Sequence, residues 1–182
     1  MAYELSDFCA DCRKALEDDK VPGARSLGSV RSSLVALLAN AEFTEATCGI
    51  NAAPGLHLLH EEGPSGFQVL AHVNQKPRVS PPHNHGSSWA VYGQVTGHTD
   101  MTEFRRVDDG SDPAHARLEV MRAYRLHPGD VGIYEPGAIH SIDYPAGSRF
   151  IRVTGTNLDR IDRDAFDLAT GEIRRPALQQ AS

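Results

Sequence analysis

The amino-acid sequence predicts a mostly β protein, a β-sandwich or small barrel preceded by α-helices. Apolar residues recur at helical spacing in residues 1–50. From about residue 58, short apolar and β-branched runs alternate with turn residues. The chain has 182 residues, of which 40% are hydrophobic and 23% charged. This is enough for a single domain with its own core, without disulfides or a structural metal.

Two helices account for the N-terminal segment. Phe8, Cys12 and Leu16 recur every four residues and predict the first helix. After a Val-Pro-Gly break at residues 21–23, a longer apolar face predicts the second helix. This face comprises Leu27, Val30, Leu34, Leu37, Leu38 and Ala41. We expect residues 1–50 to pack as a helical segment on the β domain.

Seven strands are predicted after these helices. They span residues 67–73, 89–96, 99–107, 117–126, 130–134, 140–144 and 149–154. Pro-Gly turns and an acidic loop separate them, which is typical of a sandwich or barrel. Residues 51–158 would form this β domain, and the polar residues 159–182 would form a tail of the same single domain.

Charge and cysteine content limit the partners and the location. The net charge is −6 and the chain has no basic run, which argues against nucleic acid and anionic membranes as partners. The N-terminus has no secretory signal pattern, so the three cysteines are predicted to be reduced thiols of a cytoplasmic protein. Cys9 and Cys12 form a C-x-x-C without a second pair, and we interpret them as part of a buried helix face.

The most informative stretch is the pair His83 and His85, which follows Pro81 and Pro82. On a strand, residues i and i+2 point to the same face, so the pair places two imidazoles at a separation that suits one metal ion. The two prolines block regular ladder pairing and place the pair near a strand start. In a chain with nine histidines, an H-x-H pair by itself is a weak signal.

A later stretch strengthens the metal hypothesis. Gly129 forms a turn, and a Pro-Gly pair and His140 follow it. The two stretches together resemble the two-part signature of the cupin superfamily, in which H-x-H is followed by a glutamate and a glycine, and a second motif carries Gly, Pro, Gly and a late histidine. The resemblance implies a cupin double-stranded β-helix, a jelly-roll-like small barrel. It also implies one metal ion bound by His83, His85 and His140.

The glutamate that usually serves as fourth ligand in that family falls on Ala90 here. Three neutral nitrogens leave the full charge of a divalent cation, so the site should attract an anionic ligand and keep up to three open positions. This glutamate-less form resembles the thiol dioxygenases, the cysteine dioxygenase-like branch of the cupins. The resemblance implies iron(II), a small thiol bound through sulfur, and addition of both atoms of O₂ to give a sulfinic acid.

The substrate-binding residues of that branch do not carry over. Its Ser-x-His-x-Tyr run falls on residues 150–154, where Arg152 replaces the histidine and Thr154 the tyrosine. Its carboxylate-binding Arg or Gln would fall near His57 or His60. Four side chains are candidate substrate contacts from position or strand parity, each with an alternative as an ordinary sheet residue. These are His60, Arg152, Tyr134 and Tyr144.

Two other classes of function stay open. One is a metal-dependent cupin isomerase or hydrolase that uses zinc, nickel or manganese. The other is a non-catalytic, metal-loaded cupin that binds a small ligand. The leading hypothesis, an iron(II)-dependent dioxygenase, predicts a small anionic substrate and O₂ as partners. A homodimer paired through strand edges is implied by the resemblance alone.

Overall fold

The computed structural model describes residues 2–17, 22–63 and 66–175. Three helices come first: α1 (Leu5–Leu16), α2 (Ala24–Leu38) and α3 (Ala41–Cys48). The strands of the described part follow: β1 (Gly55–Glu61), β2 (Gln68–Val73), β3 (Arg78–Val79), β4 (Ala90–Thr96), β5 (Thr99–Arg106), β6 (Leu118–Leu126), β7 (Val131–Tyr134), β8 (Ile139–Tyr144), β9 (Arg149–Thr154), β10 (Ala165–Phe166) and β11 (Ile173–Arg174). A 3₁₀ turn, Leu158–Arg160, precedes β10.

The seven predicted strands correspond to β2 and to β4 through β9, with ends that agree to within one residue. The second predicted helix is shorter than expected, because the Asn40 side chain accepts hydrogen bonds from the backbone of Glu42 and Phe43 and starts α3. β1, β3 and the C-terminal pair are additional elements, which are either exposed or only two residues long.

Two antiparallel sheets face each other. The five-stranded sheet has the order β1-β2-β9-β4-β7, and the four-stranded sheet has the order β3-β8-β5-β6. From β2 to β9 the chain passes repeatedly between the two sheets, and non-consecutive strands become neighbours in both. This is the strand order of a jelly roll, the architecture of the double-stranded β-helix. The predicted fold class, mostly β with N-terminal helices, is therefore confirmed.

Strand β9 shows how alternation divides the core into two layers. Ile151 and Val153 belong to the apolar cluster that also contains the buried faces of the helices. Phe150 belongs to the cluster between the sheets, and Arg152 shares its face of the strand. Because the helices cover the outer face of the five-stranded sheet, the space between the sheets is left for a site.

The described part of the predicted C-terminal tail folds back onto the sandwich. The backbone of Phe166 donates to Pro82 over 2.8 Å, and that of Asn84 donates to Asp164 over 3.0 Å. The Phe166 side chain is buried. Residues 161–166, here called the C-terminal strap, therefore lie against the H-x-H stretch. The polar composition of the tail concealed this packing, which depends on main-chain pairing and one aromatic anchor.

The three cysteines, Cys9, Cys12 and Cys48, are free and buried. Cys9 and Cys12 lie on the buried face of α1, as interpreted from the sequence. Burial raises the pKa of Cys9 to about 11, so this thiol stays protonated and unreactive at neutral pH. Within the described residues, no helix has the length and apolar character needed to cross a membrane.

Candidate metal centre

Three imidazoles meet at one point between the sheets. His83 lies between β3 and β4, and its backbone exchanges two hydrogen bonds with His140 of β8, at 2.9 and 3.0 Å. His85 follows two residues later. One ring nitrogen of each histidine lies within 4.8 Å of the corresponding nitrogens of the other two. The structure therefore brings together the three residues predicted as metal ligands.

The sequence predicted that His83 and His85 lie on a regular strand, and this prediction is wrong. His83 forms isolated bridges, and His85 is in the loop that follows. Pro81 and Pro82 carry no N–H groups, which prevents a continuous ladder here. Gly86 then turns the chain with a positive φ of 56°. The rings converge because the loop wraps against β8, and strand parity is not the cause.

The hydrogen bonds of the three rings show which nitrogens are available. His83 Nδ1 lies 3.0 Å from the Pro81 carbonyl oxygen, so it acts as a donor and leaves Nε2 with its lone pair. Both ring nitrogens of His140 are buried and have no hydrogen-bond partner among the described residues. Such a ring loses its hydrogen bonds to water on folding, and a bound cation would give it a partner. The residues present thus fit a divalent metal ion.

Burial keeps all three imidazoles neutral. Burial, and to a lesser degree the nearby His83, lower the pKa of His140 to about 3. Burial, and to a lesser degree the charges of His140 and His83, also lower the pKa of His85 well below its ordinary value. The pKa of His83 is lowered mainly by burial. Neutral imidazole is the form that binds metals, so the centre is ready for a cation at neutral pH.

No carboxylate joins this cluster in the part of the chain that the structure describes. Ala90, where the cupin glutamate would fall, is fully buried on β4. Tyr92, two residues further along the same face, places its hydroxyl oxygen 3.4 Å from His85 Nε2. The centre is therefore a set of three neutral nitrogens with one phenol beside them.

A cavity of about 320 Å³ opens beside the centre and has the size of a site for a small molecule. His83, His85 and Tyr92 line one part of it. Three arginines also line it: Arg78, Arg152 and Arg163. Arg152, which the sequence analysis considered as a residue facing the barrel interior, lies in the wall of this cavity.

Tyr134 and His60 take other positions. The Tyr134 ring packs on His140, with centroids 4.2 Å apart, but its hydroxyl lies 2.8 Å from that of Tyr124. His60 pairs with Glu62 at 2.9 Å and lies on β1 beyond a bulge, and it does not line the cavity. Neither placement supports direct contact with a substrate, because each polar group points to a different partner.

Sequence reasoning missed several cavity residues. Tyr92 shares strand parity with Ala90, and this signal could have found it. His72 shares its face of β2 with Leu70, and this parity allows a place either in the cavity or on the sheet surface. Arg78 and Arg163 lie on a two-residue strand and on the strap, where no periodicity applies. Tyr144, a candidate from the sequence, lines the cavity.

Comparisons with known proteins add little beyond the architecture. No protein-family model and no curated protein sequence matches the chain. Among solved structures, the Cnp3 cupin domain of Schizosaccharomyces pombe aligns over 56% of this chain and 60% of its own, with 15% identity and a TM-score of 0.42. The chain thus spans less than two thirds of that domain.

Two further solved structures are similar at the same level. KdgF from Halomonas sp. aligns over 56% of this chain and 77% of its own, with 14% identity and a TM-score of 0.42. L-ribose isomerase from Cellulomonas parahominis, with L-psicose, aligns over 58% and 61%, with 14% identity and a TM-score of 0.45. The strand order of the chain itself, and not these matches, assigns it to the double-stranded β-helix fold.

Proposed function

We propose that this protein is an iron(II)-dependent dioxygenase that oxidises a small anionic molecule, with a small thiol as the leading substrate and its sulfinic acid as the product. The observation that carries the proposal is the meeting of His83, His85 and His140 without a carboxylate. The branch of the cupins with such a centre, which the sequence resembles, uses it for this reaction.

The donor set explains why an anionic substrate is expected. Three imidazoles add no negative charge, so a divalent cation keeps its full charge and favours a thiolate, carboxylate or enolate as the next ligand. Bound iron(II) would supply open positions for substrate and O₂ together and the redox chemistry that joins them. The overall reaction, RSH + O₂ → RSO₂H, places both oxygen atoms on sulfur and needs no other oxidant.

The residues of the chain bind, orient and shield the substrate. Arg78, Arg152 and Arg163 give the cavity a positive potential, which attracts an anion and favours the ionised form of a thiol. A separate general base is then unnecessary. Tyr92 can donate a hydrogen bond to a group held beside His85. Phe150 and Tyr144 contribute apolar wall and reduce access of water.

We also propose a cytoplasmic location. All three cysteines are free thiols. Free thiols persist in reducing compartments, whereas exported proteins of this size commonly pair them.

Oxygen uptake by the iron(II)-loaded protein tests the proposal. Cysteine, cysteamine and 3-mercaptopropionate form the first panel, and 1,3-diketones and phenolic acids form the second. We expect uptake with at least one thiol and one sulfinate formed per O₂ consumed. His85→Gln should abolish turnover, and His115→Gln, an exposed histidine in a loop, should leave it unchanged. No uptake with any compound would contradict the proposal.

One observation also favours a second candidate. Three neutral imidazoles form a donor set that suits zinc in hydrolytic sites. A zinc-, nickel- or manganese-dependent isomerase or hydrolase would fit the same centre. Metal analysis of protein purified without oxygen separates the two, because full occupancy by a redox-inert metal would favour this second candidate over the dioxygenase.

A further inference from the structure

The cavity beside the three histidines contains a second set of polar groups that the metal centre does not use. Its lining holds three arginines and one carboxylate, Asp164. The arginines come from three different parts of the fold. Arg78 is on β3, Arg152 is on β9, and Arg163 is on the C-terminal strap. Three separate elements therefore direct positive charge at one small space.

Arg152 has the most unusual position of the three. β9 is a central strand, and Arg152 lies between Leu70 of β2 and Tyr92 of β4. Its Nε atom is buried and has no hydrogen-bond partner in the part of the chain that the structure describes. The residue is only partly buried, but this one N–H group has lost its hydration, which is unfavourable when no other group replaces the water. A ligand of negative charge would complete this site.

His72 presents a second unpartnered atom on the same wall. Its Nε2 is buried and forms no hydrogen bond with a described residue. Its ring stacks on Phe150 of β9, with centroids 4.4 Å apart, and its neighbour on that face of β2, Leu70, is paired with Arg152. Burial, and to a lesser degree the charges of Arg152 and Arg78, lower the pKa of His72 well below its ordinary value. The ring is therefore neutral and offers one N–H group.

The carboxylate in the lining does not neutralise these arginines. Asp164 accepts hydrogen bonds from the Asn84 side chain at 3.1 Å and from Arg175 at 2.9 Å. Arg163 has one ion pair in the described chain, a long contact of 3.5 Å with Asp159. Arg78 and Arg152 form no ion pair with any described residue, so two positive charges of the lining are available to a ligand.

We propose that the cavity contains a subsite for a doubly charged oxyanion, separate from the metal, formed by Arg152 with Arg78, Arg163 and His72. The ligand group would be a dicarboxylate or a phosphate-type group. As part of the proposed function, this group forms the end of the substrate that lies away from the metal-bound end. The planar guanidinium of Arg152 forms two parallel hydrogen bonds with such a group.

The charge argues for two negative charges on this group. A single carboxylate would leave half of the excess positive charge unpaired, whereas a dicarboxylate or phosphate matches it. The cavity volume of about 320 Å³ limits the whole ligand to a small molecule. The subsite therefore selects for charge at the far end of a short substrate.

Binding to the metal-free, full-length protein tests the subsite by itself. The probes are inorganic phosphate, malonate and acetate, titrated by calorimetry. We expect phosphate or malonate to bind about tenfold or more tightly than acetate, because each gains at least one further charge-assisted hydrogen bond. Preference for phosphate or for malonate identifies the type of oxyanion. Equal affinity for all three would overturn the proposal.

Two variants test whether Arg152 is responsible for the preference for a doubly charged probe. Arg152→Gln should remove the preference for the doubly charged probe, and Arg105→Gln, an exposed arginine paired with Glu119, should retain it. Circular dichroism and the melting temperature establish that each variant is folded. If Arg152→Gln is folded and still binds phosphate or malonate as the wild type does, the assignment to this residue is wrong.

A last titration tests whether one molecule reaches both parts of the cavity. The cobalt(II)-loaded protein is titrated without oxygen with ethanethiol and with mercaptosuccinate, and the thiolate-to-cobalt absorption band is followed. Mercaptosuccinate should bind about tenfold or more tightly, and only its binding should weaken in Arg152→Gln. Equal affinities for ethanethiol and mercaptosuccinate would contradict the inference that one molecule binds both the metal and the oxyanion subsite. Because the metal-free titration needs neither thiol nor O₂, absence of oxygen uptake would contradict the proposed function and leave the subsite supported.

Discussion

At the scale of single residues, the buried ring of His140 costs stability, which is typical of a residue that binds a ligand. Its side chain is fully buried, and within residues 2–17, 22–63 and 66–175 neither of its ring nitrogens has a hydrogen-bond partner. A residue retained for stability alone would be apolar here, because an unsatisfied buried nitrogen costs about 1–3 kcal/mol. The arrangement is explained when the ring binds a ligand that is absent from the polypeptide itself.

Substitution of His140 by leucine separates the contribution of the ring to metal binding from its effect on the stability of the metal-free protein. His140→Leu should weaken binding of iron(II) or zinc by about 100-fold or more, because one of three ligands is lost. The free energy of unfolding of the metal-free protein should rise by about 1 kcal/mol, because an unsatisfied polar group is removed. Metal titration and urea unfolding measure the two effects. A clear loss of metal-free stability would instead indicate a structural role for the ring.

Tyr92 is the second residue with a specific prediction. Its phenol has one hydrogen-bond contact in the described chain, the one to His85. Tyr92→Phe should therefore change the free energy of unfolding by about 1 kcal/mol or less. Oxygen uptake should fall about tenfold, since a positioned hydrogen bond near the reacting group is lost. Tyr134→Phe, whose phenol faces Tyr124, is the matched control, and an equal loss in both variants would contradict the role of Tyr92.

At the scale of elements, the loop of the H-x-H pair and the C-terminal strap form one unit. The Asn84 side chain accepts from the backbone of Gly86 and Asp164 and donates to the Asp164 carboxylate. A Cβ atom on Gly86 would overlap the Asp162 carbonyl oxygen, so the strap passes directly over this glycine. The residue between the two histidines thus holds the segment that carries Arg163 to the cavity.

Substitution of Asn84 by alanine tests this connection. Asn84→Ala removes three hydrogen bonds of the unit, so the strap should open more often. Amide hydrogen exchange should become about tenfold faster at Phe166, whose amide donates to Pro82, and this corresponds to roughly 1.4 kcal/mol. The amides of the central strand β9 serve as internal reference. Unchanged exchange at the strap would show that main-chain pairing alone holds it.

At the scale of the whole molecule, buried neutral histidines link folding to pH. The ordinary histidine pKa of 6.5 applies to the unfolded chain, whereas folding lowers the pKa of His140 to about 3. As the pH falls below 6.5, the unfolded state takes up protons and the folded state does not. Stability is therefore complete above this pH and decreases below it. His72 and His85, whose pKa values are also lowered well below 6.5, act in the same direction.

Unfolding of the metal-free protein between pH 6.5 and 5 checks this linkage. Each of these histidines should contribute a slope that approaches about 1.4 kcal/mol per pH unit, with stability falling toward acid. In His140→Leu the slope should be smaller by about this amount. Urea unfolding at half-unit steps of pH measures it. A stability that stays flat over this range would show that the three rings are already protonated or exposed in the folded state.

Much of the architecture and of the metal centre follows from local sequence pattern. The seven principal strands were predicted to within one residue, because alternation and turn residues are local signals. His83, His85 and His140 were identified from motif order. Position along the chain was a poorer guide for the pocket, since His60 lies outside it and Tyr134 directs its hydroxyl to Tyr124.

The sequence by itself determined the mostly β fold, the three imidazoles and the absence of a carboxylate at Ala90. Only the tertiary structure decided what surrounds them. It placed Arg163 of a polar C-terminal segment, Arg78 of a two-residue strand and Tyr92 around one cavity. The physical reason is that these residues meet through long-range sheet pairing and chain crossover, whereas periodicity reports only which face of its own element a side chain occupies.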